Sequence, residues 1–202
     1  MAHFYDLSAV DIDGDARSFL DWNGKVVLIT NVASSCGQTD KEYQALCQLY
    51  EECHQKGFDI MAFPCNQFGG HESKSEQAIK SMAVARYGAK FSLFSKIDVN
   101  GSNMSPVYSF LKSRFPGEIK WNFASKFLVD RTGQVVMRID GSTAEAAAAV
   151  KRLLRQGHHG GQSALAVWQW RRHCMRIDSP RWMDFGRQEA KPDAMAVTTY
   201  RH

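Results

Sequence analysis

An α/β fold, with a central mixed sheet flanked by helices, is predicted by three consecutive stretches of the sequence. Val26–Val32 is a short run rich in β-branched residues without polar alternation, as in a parallel-sheet strand buried on both faces. Tyr43, Leu46, Cys47, Leu49, Tyr50 and Cys53 then recur at three- and four-residue steps, the period of an amphipathic helix that ends before Gly57. Phe58–Pro64 is a second apolar run, closed by a proline that cannot donate to a sheet ladder. Strand, helix and strand within about forty residues imply a right-handed parallel crossover. Sites in open α/β sheets gather beyond the carboxyl ends of the strands, so the loops after Val32 and Pro64 open onto the edge where chemistry is expected.

The other elements follow in order. Residues 4–19 read as two short strands around Asp11-Ile12-Asp13-Gly14-Asp15, an N-terminal β-hairpin, because Asp-Gly is a strong turn signal. Residues 74–87 have weaker helical periodicity through Ala78, Ile79, Met82 and Val84, residues 91–99 form a third strand, and residues 106–115 a short helix. Strands over 126–130 and 134–140 are joined by Asp130-Arg131-Thr132-Gly133, again hairpin chemistry. Ser142 or Thr143, with Glu145, starts a last alanine-rich helix that runs to about Arg155. At Gln156 the character changes: glycines and the His158-His159 pair break the helix, and Trp168, Trp170 and Trp182 then mix with arginines without a sustained period. Residues 1–155 therefore read as one domain and residues 156–202 as a basic tail, either disordered or loosely docked.

Charge and cysteine usage narrow the function classes. The net charge of +4 is unevenly spread, with seven Lys and Arg against four Asp and Glu in the tail and 18 against 17 in the remainder. The domain has no electrostatic signature of nucleic-acid binding, and the tail's Arg171-Arg172 and His158-His159 read as surface features rather than nucleic-acid, membrane or metal sites. The N-terminal residues lack the pattern of a secretory leader and no run approaches the length of a membrane span, so a cytoplasmic location without integral membrane association is expected. Five cysteines, an odd number without a C-x-x-C pair or zinc spacing, favour reduced thiols over a disulfide framework.

Cys36 is the candidate nucleophile among them. Ala33, Ser34, Ser35 and Gly37 allow a tight turn after the first long strand, and Thr39 or Asp40 is placed to cap a helix that begins near Lys41. A thiol at this turn faces the unpaired N–H groups and the positive dipole end of that helix, which favour negative charge on sulfur.

Three separated segments, Asn31-Val32-Ala33-Ser34-Ser35-Cys36-Gly37-Gln38-Thr39, Phe63-Pro64-Cys65-Asn66-Gln67-Phe68-Gly69-Gly70, and Lys120-Trp121-Asn122-Phe123 with Phe127-Leu128-Val129-Asp130, together resemble the glutathione peroxidase family in its cysteine-using form. The resemblance covers roughly residues 3 to 155 in the same order. It implies a thioredoxin-like fold and reduction of hydrogen peroxide and organic or lipid hydroperoxides, with the family's catalytic group mapping onto Cys36, Gln67, Trp121 and Asn122. The chemistry suits these residue types. A thiolate attacks one peroxide oxygen while the other leaves, so charge moves from sulfur to oxygen, and neutral amide and indole donors steady both ends without a titrating base. The product is a sulfenic acid, which a thiol must reduce again. No metal or prosthetic group is implied.

Departures from the family pattern bear on the reductant. Thioredoxin-dependent members carry a resolving cysteine in the helix after the second segment, at a position that aligns here with Val84. Its absence points to glutathione as the reducing co-substrate, with a thioredoxin-like protein as the alternative partner if Cys47, Cys53, Cys65 or Cys174 serves as resolver. Lys41, Arg86, Lys90 and Lys126 are candidate docking charges for the glutathione carboxylates, each read first as an ordinary solvated side chain. Cys65, immediately after a strand, reads equally as a small core residue and is assigned no catalysis. The segment from Trp121 to Phe127 is one residue longer than the family spacing, which rotates the chain entering the next strand; separately, the short connection from Phe115 to Trp121 lacks the longer loop that resembles the subunit contact of tetrameric members, which points to a monomer with an open site. A redox sensor or relay, passing oxidation from Cys36 to a protein partner, is the rival reading of the same thiol.

Overall fold

The computed structural model describes residues 3–156. The expected tail, with Cys174, the His pair and the Trp/Arg segment, lies outside the described residues from Gly157 onward.

Strands β1 (Ser8–Val10) and β2 (Ala16–Ser18) form the expected antiparallel hairpin, with Ser8 opposite Ser18. The central strand β3 (Val26–Val32) leads into helix α1 (Thr39–Cys53), strand β4 (Phe58–Pro64) and helix α2 (Glu76–Tyr87). Then come the two-residue strand β5 (Ser92–Leu93), helix α3 (Pro106–Arg114), strands β6 (Ser125–Val129) and β7 (Val135–Asp140), and helix α4 (Thr143–Gln156). The five-stranded sheet has the order β5-β4-β3-β6-β7. β3 runs parallel to β4 and antiparallel to β6, so the sheet is mixed as expected. Every residue of β3, β4 and β6 is buried, which is why the first two read as unbroken apolar runs.

The two-residue period of the strands divides the core. Val26, Leu28, Val32, Ile60 and Leu128 pack with Tyr43, Leu46 and Leu49 of α1 and Ala146, Val150 and Leu154 of α4. Val27, Ile29, Met61, Phe63 and Phe127 point to the other face, against Val107, Tyr108 and Leu111 of α3 and the hairpin-side aromatics Phe4, Phe19 and Trp22. Phe63 and Phe94 stack there, with ring centroids 4.5 Å apart.

Two expectations are corrected. The third strand does not extend over residues 91–99, because only Ser92 and Leu93 pair with β4. Beyond them the ladder breaks up: the Phe94 and Ile97 N–H groups still donate to the β4 carbonyls of Ala62 and Pro64 at 3.0 Å each, but Ser95 N–H donates to the Val10 carbonyl at 2.9 Å, and the N–H groups of Val99 and Asn100 donate to the Gln67 side-chain oxygen at 2.8 and 3.0 Å. Neither Thr39 nor Asp40 caps α1. Thr39 is its first helical residue, Gln38 holds the capping position without a side-chain bond, and the Thr39 hydroxyl is spent on the preceding turn. In α4, by contrast, the Ser142 hydroxyl accepts from the Glu145 N–H at 3.3 Å, as the spacing predicts.

Candidate active site

The parallel register of β3 and β4, Val26 with Phe58 through Val32 with Pro64, brings the two strands to the same edge together. The Cys65 N–H donates to the Val32 carbonyl at 3.0 Å, so the loops that carry Cys36 and Gln67 diverge from one point. Cys36 sits in the first loop, 9% exposed. The Thr39 hydroxyl accepts from the Cys36 N–H at 3.0 Å and donates to the Ala33 carbonyl at 2.8 Å, closing the turn around the thiol. This bond fixes the cysteine's backbone through the first residue of α1, as effectively as a cap would.

A third loop, ahead of β6, brings Trp121 and Asn122. It contains Phe123, a non-glycine residue at φ 59°, a conformation that costs a bulky residue roughly 1–3 kcal/mol. Two bonds hold it: the Phe123 N–H donates to the Asn31 carbonyl at 3.1 Å, and the Phe123 carbonyl accepts from the Lys126 ammonium. The Asn31 amide donates to the Trp121 carbonyl at 3.3 Å, tying the loop to β3.

The structure gathers three of the four expected residues around the loop that follows β4. Asn122 is fully buried, and its amide nitrogen lies 3.4 Å from both the Phe68 carbonyl and His71 Nδ1. Trp121, 41% exposed, has its ring 6.1 Å from that of Phe68 and 5.7 Å, edge-on, from that of His71. The His71 carbonyl in turn accepts from the Ser35 N–H at 3.1 Å, one residue before Cys36. Gln67 is placed differently. Its oxygen accepts from Val99 and Asn100, and its nitrogen donates to the Asn100 carbonyl at 2.9 Å, so the amide clamps the chain after β5. Among the described residues, the Cys36 sulfur makes no hydrogen bond to Gln67, Trp121 or Asn122.

Sequence reasoning missed His71 and Glu72, and it missed the buried role of Lys126. Glu72 is fully buried behind the thiol loop, bonded to the Ser34 hydroxyl by one oxygen, while its other oxygen has no partner among the described residues. Burial pushes its carboxyl above the usual range, with the Ser34 bond opposing. A raised folded value means that the Glu72 contribution to stability is present below the ordinary carboxyl range and is lost as pH rises through the folded value. The Glu72→Gln variant is accordingly expected to flatten the pH dependence of the urea midpoint between acid and neutral pH. An unchanged slope would remove Glu72 as its source.

Lys126, offered by the sequence as a docking charge, is instead fully buried. Its ammonium meets Glu42 Oε2 at 2.9 Å and the Gly141 carbonyl at 2.7 Å as well as the Phe123 carbonyl, while Glu42 Oε2 also accepts from the Thr143 N–H and hydroxyl at 3.1 and 2.6 Å. Of the other candidate charges, Arg86 pairs with Asp40 at 2.9 Å and Lys90 with Glu51 at 2.8 Å. Cys47, Cys53 and Cys65 are free thiols, and burial pushes each of them up, which disfavours the reactive thiolate. Among the described residues, no group of three or more His, Cys, Asp or Glu could hold a metal ion, and no helix is long and apolar enough to cross a membrane.

A mixed sheet with this strand order, a thiol at the carboxyl end of its central strand and a buried asparagine in the loop ahead of β6 define a thioredoxin-like fold of the kind seen in solved glutathione peroxidases. Residues 4–112 match the family model described as Glutathione peroxidase, and the chain belongs to that family. It is 48% identical over 143 residues to the Arabidopsis thaliana phospholipid hydroperoxide glutathione peroxidase 1, chloroplastic, covering 69% of this chain and 60% of that relative's length. It is also 48% identical over 142 residues to the Schizosaccharomyces pombe glutathione peroxidase-like peroxiredoxin gpx1, covering 68% of this chain and 89% of the relative. The crystal structure of T. cruzi GPX1 superposes with a TM-score of 0.62 at 35% identity, covering 76% of this chain and 97% of that one.

Proposed function

We propose that the chain is a thiol peroxidase that reduces hydrogen peroxide and organic or lipid hydroperoxides, with Cys36 as the nucleophile and glutathione as the reductant. The observation that carries this reading is the meeting of three loops at one sheet edge, where the buried Asn122 amide and the exposed Trp121 ring share His71 and Phe68 next to the Cys36 turn. Family membership adds the reaction class.

In the proposed reaction the Cys36 thiolate attacks one peroxide oxygen, the O–O bond breaks and the second oxygen leaves as alkoxide or hydroxide, taking a proton to give an alcohol or water. The sulfur is oxidised to a sulfenic acid. One glutathione then displaces water to form a mixed disulfide, and a second returns Cys36 to the thiol with release of glutathione disulfide. Asn122 and Trp121 are assigned to steady the charge that passes from sulfur to oxygen, and Gln67 to hold the chain beside them. The sequence requires no metal or prosthetic group.

Two features favour glutathione over an internal resolver. Val84 stands, half exposed on α2, where a resolving thiol is expected, and burial pushes the other described thiols up, away from the reactive thiolate. The relative called a peroxiredoxin favours the second reading, a thioredoxin-like reductant. A peroxide-reduction assay with each donor separates them: turnover with glutathione is expected, and rapid turnover with thioredoxin with almost none with glutathione would overturn the assignment. A monomeric state and a cytoplasmic location belong to the same proposal, tested by light scattering and by imaging of the tagged full chain.

A further inference from the structure

His71 occupies a slot that other residue types would not fill in the same way. Its ring lies edge-on to Trp121, and a Cβ added at Gly69, which has φ 67°, would come within 3.0 Å of the ring's Cε1 and Nε2. Glycine at 69 is what lets the imidazole lie this close to the backbone. The ring's Nδ1 faces the Asn122 amide nitrogen at 3.4 Å. An amide nitrogen carries only donors, so Nδ1 accepts and the ring proton belongs on Nε2 in the neutral form. On the other side of the same amide, Asn122 Oδ1 is buried with no partner among the described residues. A fully buried acceptor without a donor is costly, and the nearest way to satisfy it is a change at its neighbour.

Protonating His71 supplies that change. Nδ1 becomes a donor, opposed by the amide N–H groups it now faces, and a half-turn of the Asn122 amide presents Oδ1 to it instead. The amide nitrogen then leaves the Phe68 carbonyl, and the donor and acceptor ends of Asn122 exchange places.

We propose that His71 is a positioning residue that sets the orientation of the Asn122 amide, so that peroxide reduction depends on His71 being neutral. The inference rests on the assignment of Asn122 to the reaction. The titratable groups next in the chain to residues that His71 touches are Glu72, which follows it and is buried; Cys36, one residue past the N–H that the His71 carbonyl holds; and Lys120, which precedes Trp121. None of them forms an ion pair with His71 among the described residues, so the asparagine amide is the group its ring bonds directly.

The test uses the full-length chain and two readouts. In the first, kcat/KM for hydrogen peroxide with glutathione is followed from pH 8 to pH 5. The His71→Gln variant keeps an amide oxygen as acceptor at every pH and is expected to lose the part of the acid-side fall that belongs to the histidine, about tenfold. An acid limb identical in wild type and variant would overturn the proposal, because the fall would then belong to Cys36 alone. In the second, carried out by NMR on Cys36→Ser so that no turnover is involved, the side-chain amide signals of Asn122 are expected to shift along the same curve as the His71 ring proton. Amide signals that stay fixed through the histidine titration would overturn it as well. Coupled signals in Cys36→Ser together with a wild-type chain that reduces no peroxide would instead keep the His71–Asn122 coupling and remove the peroxidase reading.

Discussion

Replacing Cys36 by serine is expected to lower kcat/KM for peroxide by at least about 10³-fold, while leaving the far-UV circular dichroism and the urea midpoint close to wild type. Serine keeps the backbone bond to the Thr39 hydroxyl, because the donor there is the main-chain N–H. What it removes is the atom that attacks the O–O bond, since an alkoxide is not available at neutral pH as a thiolate is. The other described thiols are poorly placed to take over, since burial pushes Cys47, Cys53 and Cys65 up. A stopped-flow assay of peroxide consumption checks the result. Undiminished consumption by Cys36→Ser would end the mechanism, whatever the reductant.

Lys126→Met is expected to cost about 3–5 kcal/mol of stability, measured by urea unfolding, because it leaves the Glu42 carboxylate buried with only Thr143 to satisfy it. The side chains of Lys126 and Glu42 are 0% and 4% exposed, so solvent cannot make up for the missing partner. The loss extends beyond the pair. Lys126 also holds the Phe123 carbonyl, which keeps the positive-φ turn closed behind Asn122. A double variant, Lys126→Met with Glu42→Gln, is therefore expected to recover part of the stability but not the peroxidase rate. Equal recovery of both would place the network outside the positioning of the site.

How much of this was legible in the sequence depended on what kind of force held each residue. Strands β3 and β4 were readable to the residue because both faces are buried and nearly every position is apolar, Thr30, Asn31 and Asp59 excepted. The hairpin and the turn at 130–133 were readable because their geometry demands particular residues: Asp130 Oδ1 accepts from the Thr132 and Gln134 N–H groups, and Gly133 sits at φ 79°. The length of β5 was not, because the partners of Val99 and Asn100 come from a side chain 32 residues or more away. Gln67 shows the same limit from the other end: the motif marked it, yet its amide serves the chain after β5 rather than the sulfur.

Charge was the least legible. Lys126 alternates with nothing that marks it as internal except its place in Ser125–Val129, between a serine and three apolar residues in a strand of the mixed sheet. A lysine within such a run is a signal of a buried partner, and Glu42 at the first turn of α1 was the available one. His71 carried a weaker signal still, since one histidine among the loop glycines is ordinary until Asn122 and Trp121 close around it.

The central claim, that Cys36 is the atom oxidised by peroxide, is tested most directly by exposing the reduced full-length chain to stoichiometric hydrogen peroxide in the absence of any thiol, trapping sulfenic acid with a dimedone-type reagent and mapping the adduct by mass spectrometry. The adduct is expected on Cys36 ahead of every other cysteine. An adduct first on Cys47, Cys53, Cys65 or Cys174, with Cys36 unmodified, would contradict the account.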